Sequence, residues 1–377
     1  MQNRSYSVFF SKSKNRNEES WPSFVLFILL VFPVLVNPVM SSIFSGVIII
    51  VSFVVWSTSK MTFPRYILIV LLPFLVIASI GSIGILSHLK YDVFKDAWYV
   101  INPVLIILTG FVLMYRLQDL RRLIRVFVIA CFLTSLLHLM QFAFHPELLT
   151  MPTNDLRNFA GRGHMISILS MGLLIVSWRM KYRIFSLGRG IEYILFMICS
   201  ISFALSYSRE LTVSLVLLIG SIYGVINLAN TKMVIRISVM GSAVLALVLL
   251  MPALKYVSVD TSFFDKIIYS VQEMKIKDYT SLRDININWR GYESARALVT
   301  YEKGDILQYL FGQGFGTLID LGLYIPLVDE VIRFAPILHN GYMYLLVKTG
   351  VIGVLIYLVF LYKLVRIGTQ HSVVTFY

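Results

Sequence analysis

The sequence predicts an all-α, polytopic integral membrane protein, on the basis of three observations. Of the 377 residues, 58% are hydrophobic and only 14% are charged, which is more apolar surface than a soluble domain can bury. The apolar residues form runs of about 20 residues, the length of a membrane-spanning helix. Lysine and arginine collect in alternate loops between these runs, as they do in membrane proteins.

About ten segments are predicted to cross the membrane. They are, in chain order, residues 22–37, 39–56, 66–86, 98–115, 125–144, 163–178, 191–207, 211–228, 233–251 and 341–362. Asn37 and Pro38 make the first two a tight hairpin, and a short turn at 208–210 separates the seventh from the eighth. The chain, residues 1–377, is therefore expected to form a single membrane domain.

The distribution of lysine and arginine predicts the orientation, because cytoplasmic loops carry an excess of both. With the N-terminus inside, the cytoplasmic segments hold eighteen of these residues and the short outer loops hold five. Both termini are therefore predicted to be cytoplasmic. Basic residues beside an anionic leaflet also account for the formal net charge of +13, so no nucleic-acid partner is needed.

Residues 252–340 form the one long loop, which this topology places outside. Nine basic and eleven acidic residues leave the loop nearly neutral. The helical spacing of its apolar side chains predicts short amphipathic helices at about 262–277 and 285–302. We expect the first of these to lie at the membrane surface.

Polar residues that are unusual in so apolar a chain collect at the outer face. They are Arg162, His164, Arg209, Glu210, Arg290, Glu293, His339 and Asn340. A transporter would instead place charges near the bilayer midplane, where they are expensive and retained for function. Lys348 is the clear candidate for such a charge, and a lysine can also extend outward to the headgroups. The pattern therefore favours chemistry at the outer surface over transport.

Each candidate also has a purely structural interpretation. Arg209 beside a span can simply anchor it to lipid phosphate, and Arg290 and Glu293 are spaced to pair with each other on a helix. The glycines of residues 312–316 favour a tight turn, with a backbone anion site as the less favoured alternative. The cysteines at 131 and 199 lie in apolar runs and are expected to be core residues.

Four short motifs, taken in order, resemble the O-antigen polymerase and ligase superfamily. They are LSYSRE at 205–210, NWR at 288–290, FGQGFG at 311–316, and HNGY at 339–342 followed by Gly350 and Gly353. The ordered set covers roughly residues 200–355. The first half of the chain matches only as a string of spans.

The resemblance implies a GT-C-like glycosyltransferase of the bacterial inner membrane, with its active face in the periplasm. It would act in lipopolysaccharide biosynthesis on oligosaccharide repeats carried by undecaprenyl diphosphate, without a metal or other cofactor. Arg209 and Arg290 would hold the diphosphate, His339 would be the catalytic base, and Glu293 and Asn340 would position them. Arg162 is a further substrate-binding candidate. Membrane lipids and a chain-length regulator protein are the other partners implied.

The residue types fit this chemistry on their own account. Arginine binds phosphate oxygens through two parallel hydrogen bonds, and histidine, with an unperturbed pKa near 6.5, can accept a proton near neutral pH. The predicted function is therefore a polymerase that joins lipid-linked repeats. The alternatives are a ligase that transfers finished polysaccharide to lipid A core, a lipid-linked sugar flippase or transporter, and a non-catalytic membrane scaffold.

Overall fold

The computed structural model describes most of the predicted spans and more than half of the long loop. The residues described are 21–36, 38–57, 65–117, 119–151, 156, 159–161, 165–186, 188–226, 279, 284–285, 288–327 and 330–374. The predicted span at 233–251 and the predicted amphipathic helix at 262–277 lie outside them. Within this part of the chain the structure is mostly helical and includes a two-stranded hairpin.

The helices follow the apolar runs closely. They are α1 (Trp21–Leu35), α2 (Pro38–Ser57), α3 (Arg65–Gly81), α4 (Lys90–Leu117), α5 (Leu120–Phe144), α6 (Met165–Arg179), α7 (Arg189–Leu205), α8 (Arg209–Ile222), α9 (Trp289–Glu302), α10 (Ile306–Phe311) and α11 (Gly341–Val374). Each predicted span other than 233–251 therefore coincides with a helix, and the predicted helix at 285–302 corresponds to α9.

Three helices among the described residues are long and apolar enough to cross a membrane. They comprise Lys90–Leu117, Arg121–Phe144 and Gly341–Leu364. Shorter apolar helices include Trp21–Leu35, Val70–Leu86, Met165–Arg179 and Glu210–Ile222. Length and composition thus support a membrane protein, while the full set of ten spans stays a prediction.

The described chain separates into two compact units. The first comprises Met1–Met61 and Ile106–Ile226, and the second Thr62–Leu105 and Asn227–Tyr377. In the first unit α5 packs against α1, α6 and α7. Cys131 and Cys199 are fully buried in its core, as expected, and the structure also places their Sγ atoms 3.1 Å apart.

The second unit is built around α11, which packs against α3, α9 and α10. Its core includes Ile77 from α3, Ala297 from α9 and Val347 from α11, with the Phe315 ring fully buried among them. Burial of these apolar groups stabilises the unit by roughly 25 cal/mol for each Å² removed from water. This core connects the end of the long loop to the helix that follows it.

A β-hairpin in the long loop is absent from the predictions above. Strands β1 (Ile319–Leu327) and β2 (Glu330–Ala335) pair antiparallel, with Ile319 opposite Ala335 and Ile325 opposite Ile332. The register shifts between Asp320 and Ile325, so β1 bulges there. A glycine, a proline and this bulge interrupt the alternation of apolar and polar residues that would indicate a strand.

The helix α11 is broken at Gly350, which has φ 66° and ψ −170°. The rings of Tyr342 and Tyr357 lie 6.1 Å apart, whereas a straight helix would separate residues fifteen positions apart by about 22 Å. The predicted span at 341–362 therefore coincides with α11, and the structure adds a sharp bend at Gly350. A first arm, residues 341–349, and a second arm, residues 351–374, meet at an elbow that is filled by the backbone of Leu310 and Gly312.

Candidate active site at the start of α11

A histidine–glutamate pair stands immediately before α11. The Nδ1 atom of His339 lies 2.9 Å from Oε2 and 3.1 Å from Oε1 of Glu293, which projects from α9. The backbone N–H of His339 donates to the same Oε2 atom at 3.2 Å. The Glu293 side chain is 4% exposed and that of His339 is 59% exposed. The acid is therefore fixed in the protein, and the imidazole faces outward from it.

This geometry determines which imidazole nitrogen is available for chemistry. A carboxylate only accepts hydrogen bonds, so the proton of a neutral His339 resides on Nδ1 and is donated to Glu293. The Nε2 atom then carries the lone pair that can accept a proton. A base oriented by a third group is the arrangement on which nucleophile activation depends.

The side chain of Asn340 has a local structural role. Its Oδ1 atom accepts from the backbone N–H groups of Tyr342 at 3.1 Å and Met343 at 3.4 Å, which caps the first turn of α11. Its Nδ2 atom donates to Oγ of Ser294 on α9, 3.3 Å away. Asn340 thus holds the start of α11 against α9 and keeps His339 opposite Glu293.

The structure brings together only part of the predicted site. Arg290 lies in the first turn of α9, three residues before Glu293, and is half-buried. Arg209 begins α8, which belongs to the first unit, where Oγ of Ser208 caps the helix. Arg162 and His164 lie outside the described residues. The second unit therefore supplies Arg290, Glu293, His339 and Asn340. Of these, His339 contacts Glu293 of α9, and Asn340 contacts Ser294 of α9.

The glycine-rich segment 312–316 forms a tight turn against α11 and α3. The backbone N–H groups of Gln313 and Gly314 donate to the carbonyls of Val347 at 2.8 Å and Lys348 at 3.1 Å. The N–H of Phe315 donates to a carbonyl in α3 at 2.7 Å. Because these donors are already used, the structure favours the turn interpretation over a backbone anion site.

Asp96 and Lys348 form a second charged pair, which the sequence analysis above does not identify. The Nζ atom of Lys348 lies 2.5 Å from Oδ2 of Asp96 and also donates to the Thr317 carbonyl. The other oxygen of Asp96 accepts from Tyr344 at 2.9 Å, and Oδ2 accepts from the N–H of Gly316 at 2.7 Å. Both charged side chains are sealed from solvent.

Of the two possibilities for Lys348, a charge held inside the protein and an extension outward to the headgroups, the structure shows the first. Its ammonium group turns inward because a carboxylate, a carbonyl and the turn at 312–317 surround it. One signal for the partner is present in the sequence: Asp92 and Asp96 stand one helical turn apart just before the apolar run at 98–115. The helix α4 begins at Lys90, so Asp96 lies inside it rather than in a loop.

Among the described residues, no group of three or more His, Cys, Asp or Glu side chains is placed to hold a metal ion. Comparisons with protein-family models, with curated proteins and with solved structures find no match for this chain. Function must therefore be inferred from the chemistry of the site and from the motifs in the sequence.

Proposed function

We propose that this protein is a membrane glycosyltransferase that polymerises lipid-linked oligosaccharide repeats of a surface polysaccharide. The observation that carries the proposal is the Glu293–His339 pair, a buried acid that orients an exposed base. The motifs that resemble the O-antigen polymerase and ligase superfamily supply the donor, an oligosaccharide on undecaprenyl diphosphate. A hydroxyl of a second repeat is the acceptor.

In this proposal His339 removes the proton of the acceptor hydroxyl through Nε2. The acceptor oxygen bonds to the anomeric carbon of the donor sugar while the bond from that carbon to the diphosphate breaks. Undecaprenyl diphosphate leaves with the electron pair of that bond, and the proton remains on His339. The Glu293 carboxylate stabilises the imidazolium that results, because it already accepts from Nδ1.

The arginines serve the leaving group. A diphosphate gains negative charge as the glycosidic bond breaks, and a guanidinium group can bind two of its oxygens at once. Arg290, one turn before Glu293 on α9, is the candidate in the second unit. Arg209 and Arg162 are the other two candidates from the sequence.

The proposed location follows from the distribution of charge. Eighteen lysines and arginines in the predicted inner segments, against five in the short outer loops, favour an inner-membrane protein with both termini in the cytoplasm. The loop at 252–340 and the start of α11 would then face the periplasm. A diphosphate in the outer headgroup layer would lie at the level of His339.

Deletion of the gene, followed by electrophoresis of lipopolysaccharide, tests the proposal against its alternatives. Loss of a polymerase leaves lipid A core carrying a single repeat, so the ladder of longer chains should disappear while that band remains. Bare core would identify a ligase instead, and little or no surface repeat would identify a flippase. Expression of the wild-type chain should restore the ladder, whereas His339→Gln at equal protein level should not.

A further inference from the structure

A cleft of about 320 Å³ lies between α9, the helix that carries Glu293, and the bulge of β1. Tyr279 and Tyr292 form its aromatic part, Val299 and Leu323 contribute aliphatic surface, and Arg296 and Gly322 complete the wall. Its volume is at the lower end of the range for small-ligand pockets. None of these residues has a role in the mechanism proposed above.

Arg296 gives the cleft its charge. Among the described residues that line the cleft, it is the charged one. Its Nε atom donates to the Asp320 carbonyl at 2.8 Å, which fixes the direction of the guanidinium group. The group lies against Gly322, where an added Cβ would come within 3.1 Å of Cζ and Nη2. With φ at +76°, Gly322 both turns the bulge and leaves space for the guanidinium.

The Asp320 carboxylate, which interacts with Arg296, is already bound to other groups. Oδ1 of Asp320 accepts from Nε of Arg333 at 3.1 Å and from the N–H of Gly322 at 2.9 Å. The hydrogen bond from Arg333 lowers the pKa of Asp320 to about 2, so this carboxyl is ionised at neutral pH. The single carboxylate of Asp320 thus interacts with two arginines, Arg333 and Arg296.

The aromatic part of the cleft is held rigidly. The hydroxyl of Tyr292 donates to the Leu321 carbonyl, and the Tyr279 ring meets the Tyr292 ring edge to face, with centroids 5.1 Å apart. Aromatic and aliphatic surface suits the C–H faces of a sugar ring, and a fixed guanidinium suits a carboxylate. This combination indicates a saccharide that carries an acidic group.

The cleft shares the helix α9 with the proposed active site. Arg296 follows Glu293 by three residues on α9, so the two side chains project from adjacent faces of one helix. We propose that the cleft binds an acidic sugar residue of the glycan that is being extended, and thereby places the acceptor hydroxyl near His339. This assignment rests on the proposed function, because it names the substrate class of that site.

Binding of a matched pair of soluble ligands to the purified full chain in nanodiscs tests the assignment. The probes are a trimer of galacturonic acid and its methyl ester, which differ in charge and share the same ring structure. We expect saturable binding of the acid, with the ester at least 10-fold weaker. Arg296→Gln should remove this difference, whereas Lys303→Gln, an equal charge change at the exposed end of the same helix, should preserve it.

Val299→Trp is a second variant that leaves Arg296 intact and fills the cleft, so it should weaken binding of the acid even if Arg296→Gln folds poorly. Equal binding of acid and ester to the wild-type chain would overturn the proposal. So would equal losses in Arg296→Gln and Lys303→Gln, or displacement of the acid by inorganic pyrophosphate at similar concentration, which would identify a diphosphate site.

Elongation assays on the same preparation keep the two proposals separate. Saturable, Arg296-dependent binding of the acid without any extension of lipid-linked repeats would retain the cleft as an acidic-glycan site and count against the polymerase. Extension of repeats by a protein that shows no preference for the acid would support the polymerase and overturn the acidic-glycan site.

Discussion

The first arm of α11 has a pair of titratable side chains near each of its ends, and the two pairs differ in their access to solvent. At the start, His339 is 59% exposed and contacts a buried glutamate. At the other end, Lys348 is fully buried and contacts Asp96, which is 1% exposed. Both pairs join α11 to a helix that is distant in sequence. Nevertheless, only the first leaves a titratable nitrogen where a substrate can reach it.

The difference separates a pair suited to proton transfer from one suited to structure. A base must exchange protons with a substrate, and the exposure of the His339 side chain permits this. The ammonium of Lys348 is enclosed by Asp96 and the Thr317 carbonyl. A buried pair of this kind offers little net stability over apolar residues, but removal of one partner is costly because the other charge remains buried.

The largest expected effect is the loss of chain elongation when the exposed pair is broken. His339→Gln keeps a hydrogen-bonding side chain but cannot act as a base near pH 7, so chain elongation should fall by about 10²–10⁴-fold, the usual contribution of a general base. Thermal stability should stay close to that of the wild type, because the side chain is largely exposed. The measurement is elongation of a synthetic undecaprenyl-diphosphate repeat by purified protein, alongside melting temperature.

A companion variant distinguishes a base from a simple contact. Glu293→Gln cannot stabilise an imidazolium, so its elongation rate should also fall, with the histidine still present. If both variants keep rates within a few fold of wild type, His339 is structural and the proposed mechanism is wrong.

Substitution in the buried pair should instead lower the stability of the protein. Lys348→Met leaves the Asp96 carboxylate buried without its cation, which should lower the free energy of unfolding by about 3–5 kcal/mol. The double variant Asp96→Asn with Lys348→Met removes both charges and should recover most of this loss. Unfolding by SDS titration, followed by tryptophan fluorescence, measures both. If Lys348→Met is as stable as the wild type, the Asp96 carboxylate is not buried away from solvent as the structure indicates.

The sequence predicts the exposed pair better than the buried one, for a physical reason. A His-Asn dipeptide beside an apolar run is visible locally, and so are the apolar runs that become α1 to α8 and α11. The contact between Asp96 and Lys348 joins residues 252 positions apart, and no local pattern specifies it. The break of α11 at Gly350 is equally non-local, because the backbone of Leu310 and Gly312 fills the elbow.

The same residue types can serve a binding role or a structural role, and the sequence alone does not distinguish the two. Asn340 has the side chain of a ligand-binding residue and also that of a helix cap, and the structure shows the cap. The glycines at 312–316 fit an anion site or a close approach of backbones, and the structure shows the close approach. Such choices depend on which donors the rest of the fold has already used.

The elbow at Gly350, just after the buried pair, provides a smaller effect. Gly350→Ala would place a Cβ against the Leu310 carbonyl at a positive φ, so the free energy of unfolding should drop by about 1–3 kcal/mol. Gly341→Ala is the matched control on the same helix, since an added Cβ there meets nothing within 4 Å. If the two variants lose stability equally, the positive φ and the close contact at residue 350 do not explain the loss in Gly350→Ala.

The smallest expected effect concerns the residue that connects the exposed pair to the helix. Asn340→Ala removes the acceptor for the N–H groups of Tyr342 and Met343, and loss of such a cap typically costs about 1 kcal/mol. Asn340→Ser retains a capping oxygen, so its melting temperature should lie near that of the wild type. If Asn340 acts only by holding the start of α11, elongation should follow stability: Ala slows it a few fold and Ser restores it. A serine variant that folds normally yet loses elongation as severely as His339→Gln would instead assign Asn340 a direct role with substrate.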